Sequence, residues 1–245
     1  PLLPGVMGTE IFAELALAIV PGYEVTAVTD EQFHAPFKFY RMEPQTLYLS
    51  ATAVPEANGD LRVYTELRSR REIKSGLQEK LHFSATVHLS QEAAAAPDTA
   101  FTPPESLDIP AEAIYDIYFH GPAYRVMAGA TVAGDQAIGL LADDLPPNVN
   151  PADAPEVMAP RLIELCFQTA GVWQLRQQGK MALPLSLDSV TAYQQEREAD
   201  GRLYAVVQAV DDGEEFAAQV VDENGRVYVT LSGYRTVALP GTVQL

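Results

Sequence analysis

A single cysteine, Cys166, and a single tryptophan stand among 245 residues. One thiol excludes a disulfide within the chain and a cysteine metal cluster, and it fits a reducing compartment. Basic residues are also scarce: 16 Lys and Arg against 33 Asp and Glu leave a formal net charge of −17. Such a surface repels nucleic acid and anionic lipid, so neither is expected as a partner. No apolar run approaches the roughly 20 residues of a membrane-spanning helix, and the first residues lack a basic region followed by an apolar core. A cytoplasmic location is the expectation. GxSxG, HExxH, GxGxxG and phosphate-loop patterns are missing too, which leaves nucleophilic hydrolases, zinc enzymes and nucleotide binders without support. His34, His82 and His88 fall in strand or loop contexts at no metal-ligand spacing. No metal and no cofactor is expected.

What is present is ample apolar material, 47% of residues, enough to fill the core of one large domain or two small ones. The most telling stretch runs from about Pro155 to Gly179. Its middle residues (Leu162, Ile163, Leu165, Cys166, Phe167, Ala170, Val172, Trp173) make a helix apolar on nearly every side, which other elements must enclose. Within it Glu164 and Gln168 stand four residues apart and project from one face. Burying a carboxylate is costly unless it is compensated, so Glu164 is either paired, with Arg161 or an arginine of the surrounding sheet, or chemically employed.

A second helix is expected after Pro4, where Val6, Met7, Ile11, Leu15 and Ile19 keep helical spacing until Pro21-Gly22 stops it. Glu10 and Glu14 lie on it. From Tyr23 to Ser90 the period changes to alternation, in EVTAVTD, QTLYLSATAV, LRVYTELRSR and EKLHFSATVHL, with a hairpin signal at Asn58-Gly59-Asp60. Residues 91–110 are rich in alanine, proline and acids and are expected to be a linker. Strand-like segments follow, RVMAGATVAG and QAIGLLADDL, then the Glu164 helix, then LPLSLDSVTAYQ, RLYAVVQAV, EFAAQVVD and RVYVTLSGYRTVAL. The order is apolar helix plus antiparallel strands, twice. The expected fold is α+β: two antiparallel sheets, each wrapped around a central apolar helix, with one unit in 1–90 and the other in 111–245.

At PGVMGTE, FHGPAYR and RLIELCFQ the chain resembles the dehydratase domains of polyketide synthases and of the related multienzymes that make polyunsaturated fatty acids, which have a double hotdog fold. In that family the first hotdog carries a His in the pattern HxxxGxxxxP, and Pro4 with Gly5-Val6-Met7-Gly8 is similar to its end. This implies a catalytic His upstream of Pro1. The second hotdog carries Asp followed by Gln or His within a helix, positions taken here by Glu164 and Gln168. A segment YGPxF near the substrate tunnel reads His120-Gly121-Pro122-Ala123-Tyr124. Glu for Asp and His for Tyr are departures from the pattern.

The resemblance implies removal of water from a 3-hydroxyacyl thioester, which needs a base for the α-proton and an acid for the departing hydroxyl. Glu164 would be the acid, with Gln168 holding it or the substrate hydroxyl. Gly5 and Val6 would aim free N–H groups at the thioester oxygen. His120, Gly121, Pro122 and Tyr124 would line the tunnel. Partners would be an acyl carrier protein with its phosphopantetheine-bound substrate and neighbouring domains of one synthase, with a homodimer through a sheet edge a further expectation. Arg68, Arg70, Arg71 and Lys74 oppose the overall charge and are either a solvated strand end or a landing point for the phosphate or the carrier. Two other functions compete: a degenerate double hotdog that binds acyl chains without turnover, and a hotdog thioesterase with water activated by Glu10 or Glu164.

Overall fold

The chain was analysed as a computed structural model that describes residues 1–39, 43–73 and 76–241, the side chain of Ile73 excepted. Helix α1 (Gly5–Ile19) starts directly after Pro4 and buries Val6, Phe12, Ala13 and Ala16 on one face. Four strands follow: β1 (Glu24–Phe33), β2 (Tyr48–Pro55), β3 (Leu61–Ile73) and β4 (Gly76–Ser90). The turn between β2 and β3 forms where Gly59 takes φ +94° and Asp60 N–H donates to Asn58 Oδ1 at 3.1 Å, the local bonding that favours Asn-Gly in hairpins.

The second half opens with the short β5 (Ile109–Pro110) and α2 (Ala111–Tyr115), then β6 (Met127–Ala133), β7 (Gln136–Leu141) and the long α3 (Pro160–Gln178). It closes with β8 (Ala182–Ala192), β9 (Leu203–Val210), β10 (Glu215–Asp222) and β11 (Val227–Ala238). Within residues 91–110, Asp98 makes an isolated bridge to Arg226, and β5 pairs with β6.

Among the described residues the strands form a single 11-stranded sheet in the order β2-β3-β4-β1-β8-β11-β10-β9-β7-β6-β5. The two sheets expected from the repeated pattern are therefore fused. The seam is the antiparallel pair β1–β8, with Val28 opposite Val190 and Glu31 opposite Leu187. Backbone pairing across it joins the halves without a break, which alternation within single strands does not reveal.

Helix α3 lies inside this wrap. Every residue from Pro160 to Leu175 except Gly171 is buried, each large apolar side chain contributing about 1.5–3 kcal/mol. Aromatic contacts fix its rotation: Phe167 stacks on Tyr234 of β11 at 4.0 Å and meets Phe33 of β1 edge-on at 6.2 Å, while Trp173 packs against Phe216 of β10 at 5.6 Å. Gly179 ends the helix at φ +63°, its N–H returning to the Leu175 carbonyl at 3.0 Å, a left-handed stop that glycine adopts freely.

The helix begins at Pro160 rather than near Pro155. The lead-in is held from the other half of the molecule: Glu10 on α1 accepts from the Val157 and Met158 N–H groups at 2.6 and 2.7 Å. Burial pushes the Glu10 carboxyl up to about 7, against the opposing effect of these two bonds. Glu10→Ala leaves both N–H groups without their acceptor, and a loss of about 2–4 kcal/mol in urea unfolding at pH 8 is expected. An unchanged midpoint would show that the lead-in is held by other contacts.

Candidate active site

Glu164 occupies the second turn of α3 and is 6% exposed. Its Oε1 accepts a hydrogen bond from Gln168 Nε2 at 2.9 Å and lies 3.0 Å from His120 Nε2. Its other oxygen makes no hydrogen bond among the described residues. Arg161, the ion-pair partner considered from the sequence, bonds instead to Glu196 at 2.9 Å. Helical spacing thus delivers the pair Glu164–Gln168, and the segment before β6 delivers the third member.

Gln168 is the hub that orients this pair. Its Nε2 also donates to the Tyr124 carbonyl at 2.8 Å, and its Oε1 accepts from Tyr115 Oη at 2.8 Å. Tyr115 Oη in turn accepts from the Met127 N–H at 2.8 Å. Tyr118 Oη donates to the Gln168 carbonyl at 3.1 Å. That bond requires Gly171, since a Cβ there would collide with Tyr118 Oη. With every polar atom of its amide committed, Gln168 has a fixed orientation, and so has Glu164. Burial, and then the neighbouring Tyr115 and Glu164, push the Tyr118 phenol well above its ordinary value. It serves as a donor, not a base.

The His120 ring meets Tyr118 at 5.4 Å, tilted, and stacks on Phe119 with ring centroids 5.7 Å apart. Its Nδ1 is buried and makes no hydrogen bond among the described residues. An Nε2 that faces an accepting carboxylate oxygen carries the proton. From Gly121 the chain turns through a short 3-10 segment, Pro122–Tyr124, which brings the Tyr124 carbonyl to Gln168. Tyr124 Oη reaches Met7 Sδ on α1 at 2.7 Å, tying this segment to the N-terminal half.

At the start of α1 no side chain caps the helix, and Met7 N–H is already bonded to the Pro4 carbonyl at 3.1 Å. Gly5 approaches the Phe33 ring so closely that a Cβ would sit 2.9 Å from Cε1, and Phe33 also contacts Phe167 of α3. The N–H groups of Gly5 and Val6 therefore emerge beside residues that pack on α3.

The basic cluster is elsewhere, on the β3–β4 hairpin. Arg68 pairs with Glu66 at 3.0 Å and Arg70 with Glu79 at 2.6 Å, with Arg70 also 4.3 Å over the Tyr48 ring. Arg71 is exposed, and Lys74 lies outside the described residues. His34, His82 and His88 bond to Ser84, Ser69 and Thr29 respectively.

Among known proteins, the family model described as the polyketide synthase dehydratase N-terminal domain matches residues 93–245, more than half of the chain. The chain belongs to the polyketide synthase dehydratase family. Solved dehydratase structures agree in fold. The dehydratase domain from the CurF module of curacin polyketide synthase superposes with a TM-score of 0.77 at 19% identity, covering 97% of this chain and 84% of that one. The dehydratase domain of RzxB from Pseudomonas fluorescens gives 0.70 at 18% identity over 98% and 86%. A dehydratase from work on the borrelidin and fluvirucin polyketide synthases gives 0.69 at 16% identity over 98% and 81%. A comparison with curated protein sequences returns no match. This dehydratase therefore has the double hotdog fold, with its two halves sharing one sheet. Among its described residues no helix is long and apolar enough to cross a membrane.

Two features of the site were missed at the sequence level. The role of Tyr115 as the clamp on Gln168 depends on a contact 53 positions away, which no local pattern announces. The His120–Glu164 contact had a faint signal, a histidine where the family pattern has Tyr.

Proposed function

We propose that the chain removes water from a 3-hydroxyacyl thioester carried by an acyl carrier protein, with Glu164 giving its proton to the departing hydroxyl. The observation that carries this reading is the asymmetry of Glu164. One oxygen is held by Gln168 and lies against His120, while the other makes no hydrogen bond among the described residues. When a carboxyl group held that way takes up a proton, the proton sits on the free oxygen, pointed away from its holders.

In the reaction the α-carbon loses a proton to a base, the electron pair forms the new double bond, and the C3–O bond breaks as Glu164 protonates the oxygen, releasing water. The family resemblance assigns the base to a histidine of the first hotdog, in the motif whose end is Pro4. The negative charge that develops on the thioester oxygen is received by the Gly5 and Val6 N–H groups at the positive end of α1. His120 and Gln168 are positioning residues: both touch Glu164.

The partners in this reading are the carrier protein, with its phosphopantetheine arm, and neighbouring synthase domains, with Arg68, Arg70 and Arg71 as a weaker candidate landing point. A homodimer through a sheet edge belongs to the same proposal; β2 is an outer strand, and its Tyr48, Leu49 and Val54 are exposed. So does a cytoplasmic location, which the buried free thiol of Cys166 fits.

The test is incubation of the chain, in its full polypeptide context, with 3-hydroxybutyryl pantetheine thioester while the ultraviolet absorbance of the conjugated enoyl thioester is followed. Growth of that chromophore is the expected result. Release of free 3-hydroxy acid with the thiol would instead make the protein a thioesterase, and an unchanged substrate that nonetheless binds would make it a non-catalytic module.

A further inference from the structure

Phe33, the last residue of β1, reaches between the two long helices. It touches α1 at Gly5, where an added Cβ would sit 2.9 Å from its Cε1, and it meets Phe167 of α3 edge-on at 6.2 Å. Directly across the β1–β4 pair stands Phe83, its ring 5.6 Å from that of Phe33. Phe83 lies as close under Gly8, where a Cβ would sit 2.6 Å from its Cδ2. The spacing Gly5-x-x-Gly8 thus lays one turn of α1 on two phenyl rings, which have no room to retreat toward the helix. Phe167 in turn stacks on Tyr234 of β11. Phe83, Phe167 and Tyr234 are each no more than 5% exposed. Phe33 alone of the four is only partly buried, so it is the front of this aromatic wall.

The wall borders the reacting groups. Gly5 and Val6 carry the N–H groups assigned to the thioester oxygen, and Phe167 follows Glu164 by one turn of α3, about 5 Å along the axis. Burial first, and then the nearby Glu164, Tyr118 and Cys166, push the Tyr234 phenol well above its ordinary value. The accessible edge of the site is at His120, whose side chain is 24% exposed and stacks on the exposed Phe119. A substrate tethered to a carrier outside the protein enters by that edge with its thioester outward, which turns the far end of its acyl chain toward Phe33. Each C–C bond of about 1.5 Å advances an extended chain by about 1.3 Å, so carbon 4 lies about 4 Å and carbon 8 about 9 Å from the thioester carbon. With that carbon at Gly5, whose backbone Phe33 already touches, the shorter chain fits in front of the ring. The longer one has to displace it, at the cost of overfilling a packed core.

We infer that Phe33, backed by Phe83, Phe167 and Tyr234, closes the acyl end of the site and restricts this dehydratase to short 3-hydroxyacyl groups, of about four to six carbons. The inference rests on the dehydratase reading of the Glu164 site.

The experiment compares kcat/KM for the pantetheine thioesters of 3-hydroxybutyrate, 3-hydroxyhexanoate and 3-hydroxyoctanoate, with the protein in its full polypeptide context. The readout is the ratio of the eight-carbon to the four-carbon value, in which a general loss of activity cancels. In the wild-type protein the eight-carbon substrate is expected to be about tenfold or more poorer. In Phe33→Ala the ratio is expected to rise about tenfold or more, the scale on which an apolar pocket discriminates added methylenes. Phe33→Leu should fall between; it keeps most of the packing, so it serves where the alanine variant does not fold, and melting temperatures of both report on folding. Wild-type protein that uses the eight-carbon substrate as well as the four-carbon one, or an unaltered ratio in a folded variant, overturns the inference. If the wild-type protein turns over none of the thioesters, the dehydratase reading has failed instead. Calorimetric binding of the amide analogues, with NH in place of the sulfur, then decides. A preference for the four-carbon analogue that is lost in Phe33→Leu and Phe33→Ala upholds the wall, and an equal preference in all three proteins, or no binding, refutes it.

Discussion

Glu164→Gln is expected to lower kcat for dehydration by about 10²–10⁴-fold, the usual contribution of a positioned proton donor, with little change in KM or in folding. The amide oxygen of the new side chain keeps the place of Oε1, accepting from Gln168 and lying against His120, so the surroundings have no reason to move. What is lost is the acidic proton on the second oxygen. A carboxylic acid there gives the leaving hydroxyl its proton as the C3–O bond breaks, and an amide does not.

Glu164→Asp tests the geometry separately. It keeps the acid but withdraws it by one methylene from both of its holders, and a displacement of about an ångström is enough to cost on the order of 10²-fold. Single-turnover measurement of enoyl formation distinguishes these outcomes from slow product release. A Glu164→Gln variant with wild-type kcat would remove Glu164 from the reaction.

Raising the pH from about 4.5 to about 8 is expected to cost the fold on the order of 3–5 kcal/mol through one residue, Glu31. Glu31 is fully buried in β1, at the seam with β8. Among the described residues its only side-chain partner is the Thr9 hydroxyl, which lies 3.0 and 2.9 Å from its two oxygens. Burial pushes its carboxyl from 4.5 up to about 8, with Thr9 opposing weakly. The folded state therefore holds a proton that the unfolded chain has already released. The resulting stability is complete below about 4.5 and disappears as the pH climbs through about 8.

Glu31→Gln keeps a neutral group of the same size, so the difference in unfolding free energy between variant and wild type should grow in favour of the variant across that window. Glu10, raised to about 7 by burial, leaves a smaller slope of the same sign in both proteins. Urea titrations at closely spaced pH values measure the difference. If the two profiles run parallel, Glu31 is charged in the folded protein and is compensated in another way.

These two carboxyl groups also show what the sequence could and could not disclose. Glu164 was conspicuous because it interrupts an apolar run, and a polar residue at helical spacing inside such a run has a fixed direction. Glu31 was invisible. Strict alternation places residue 30 on the inward face with Val28, but Asp30 adopts φ +53° and the pairing with β4 shifts register between Thr29 and Gln32. That bulge turns Glu31 inward instead, and no local pattern announces it.

The same distinction holds for the larger structure. Individual strands and both long helices follow from period and from Pro and Gly punctuation. The fusion into one sheet depends on β1 meeting β8, and the start of α3 on Glu10 meeting Val157 and Met158. The resemblance puts His120 at a tyrosine position beside the tunnel, and the structure adds that its Nε2 lies against Glu164. Each of these is a contact between residues far apart in the chain, which periodicity does not encode.

The most direct test of the central claim is the mass of an acyl carrier protein loaded with a 3-hydroxyacyl group, followed after exposure to the chain in its full polypeptide context and to its Glu164→Gln variant. The account predicts that the wild-type protein removes the mass of one water with the acyl group still attached to the carrier, and that the variant leaves the mass unchanged over the same time. Loss of the whole acyl group, or equal loss of water with both proteins, would contradict it.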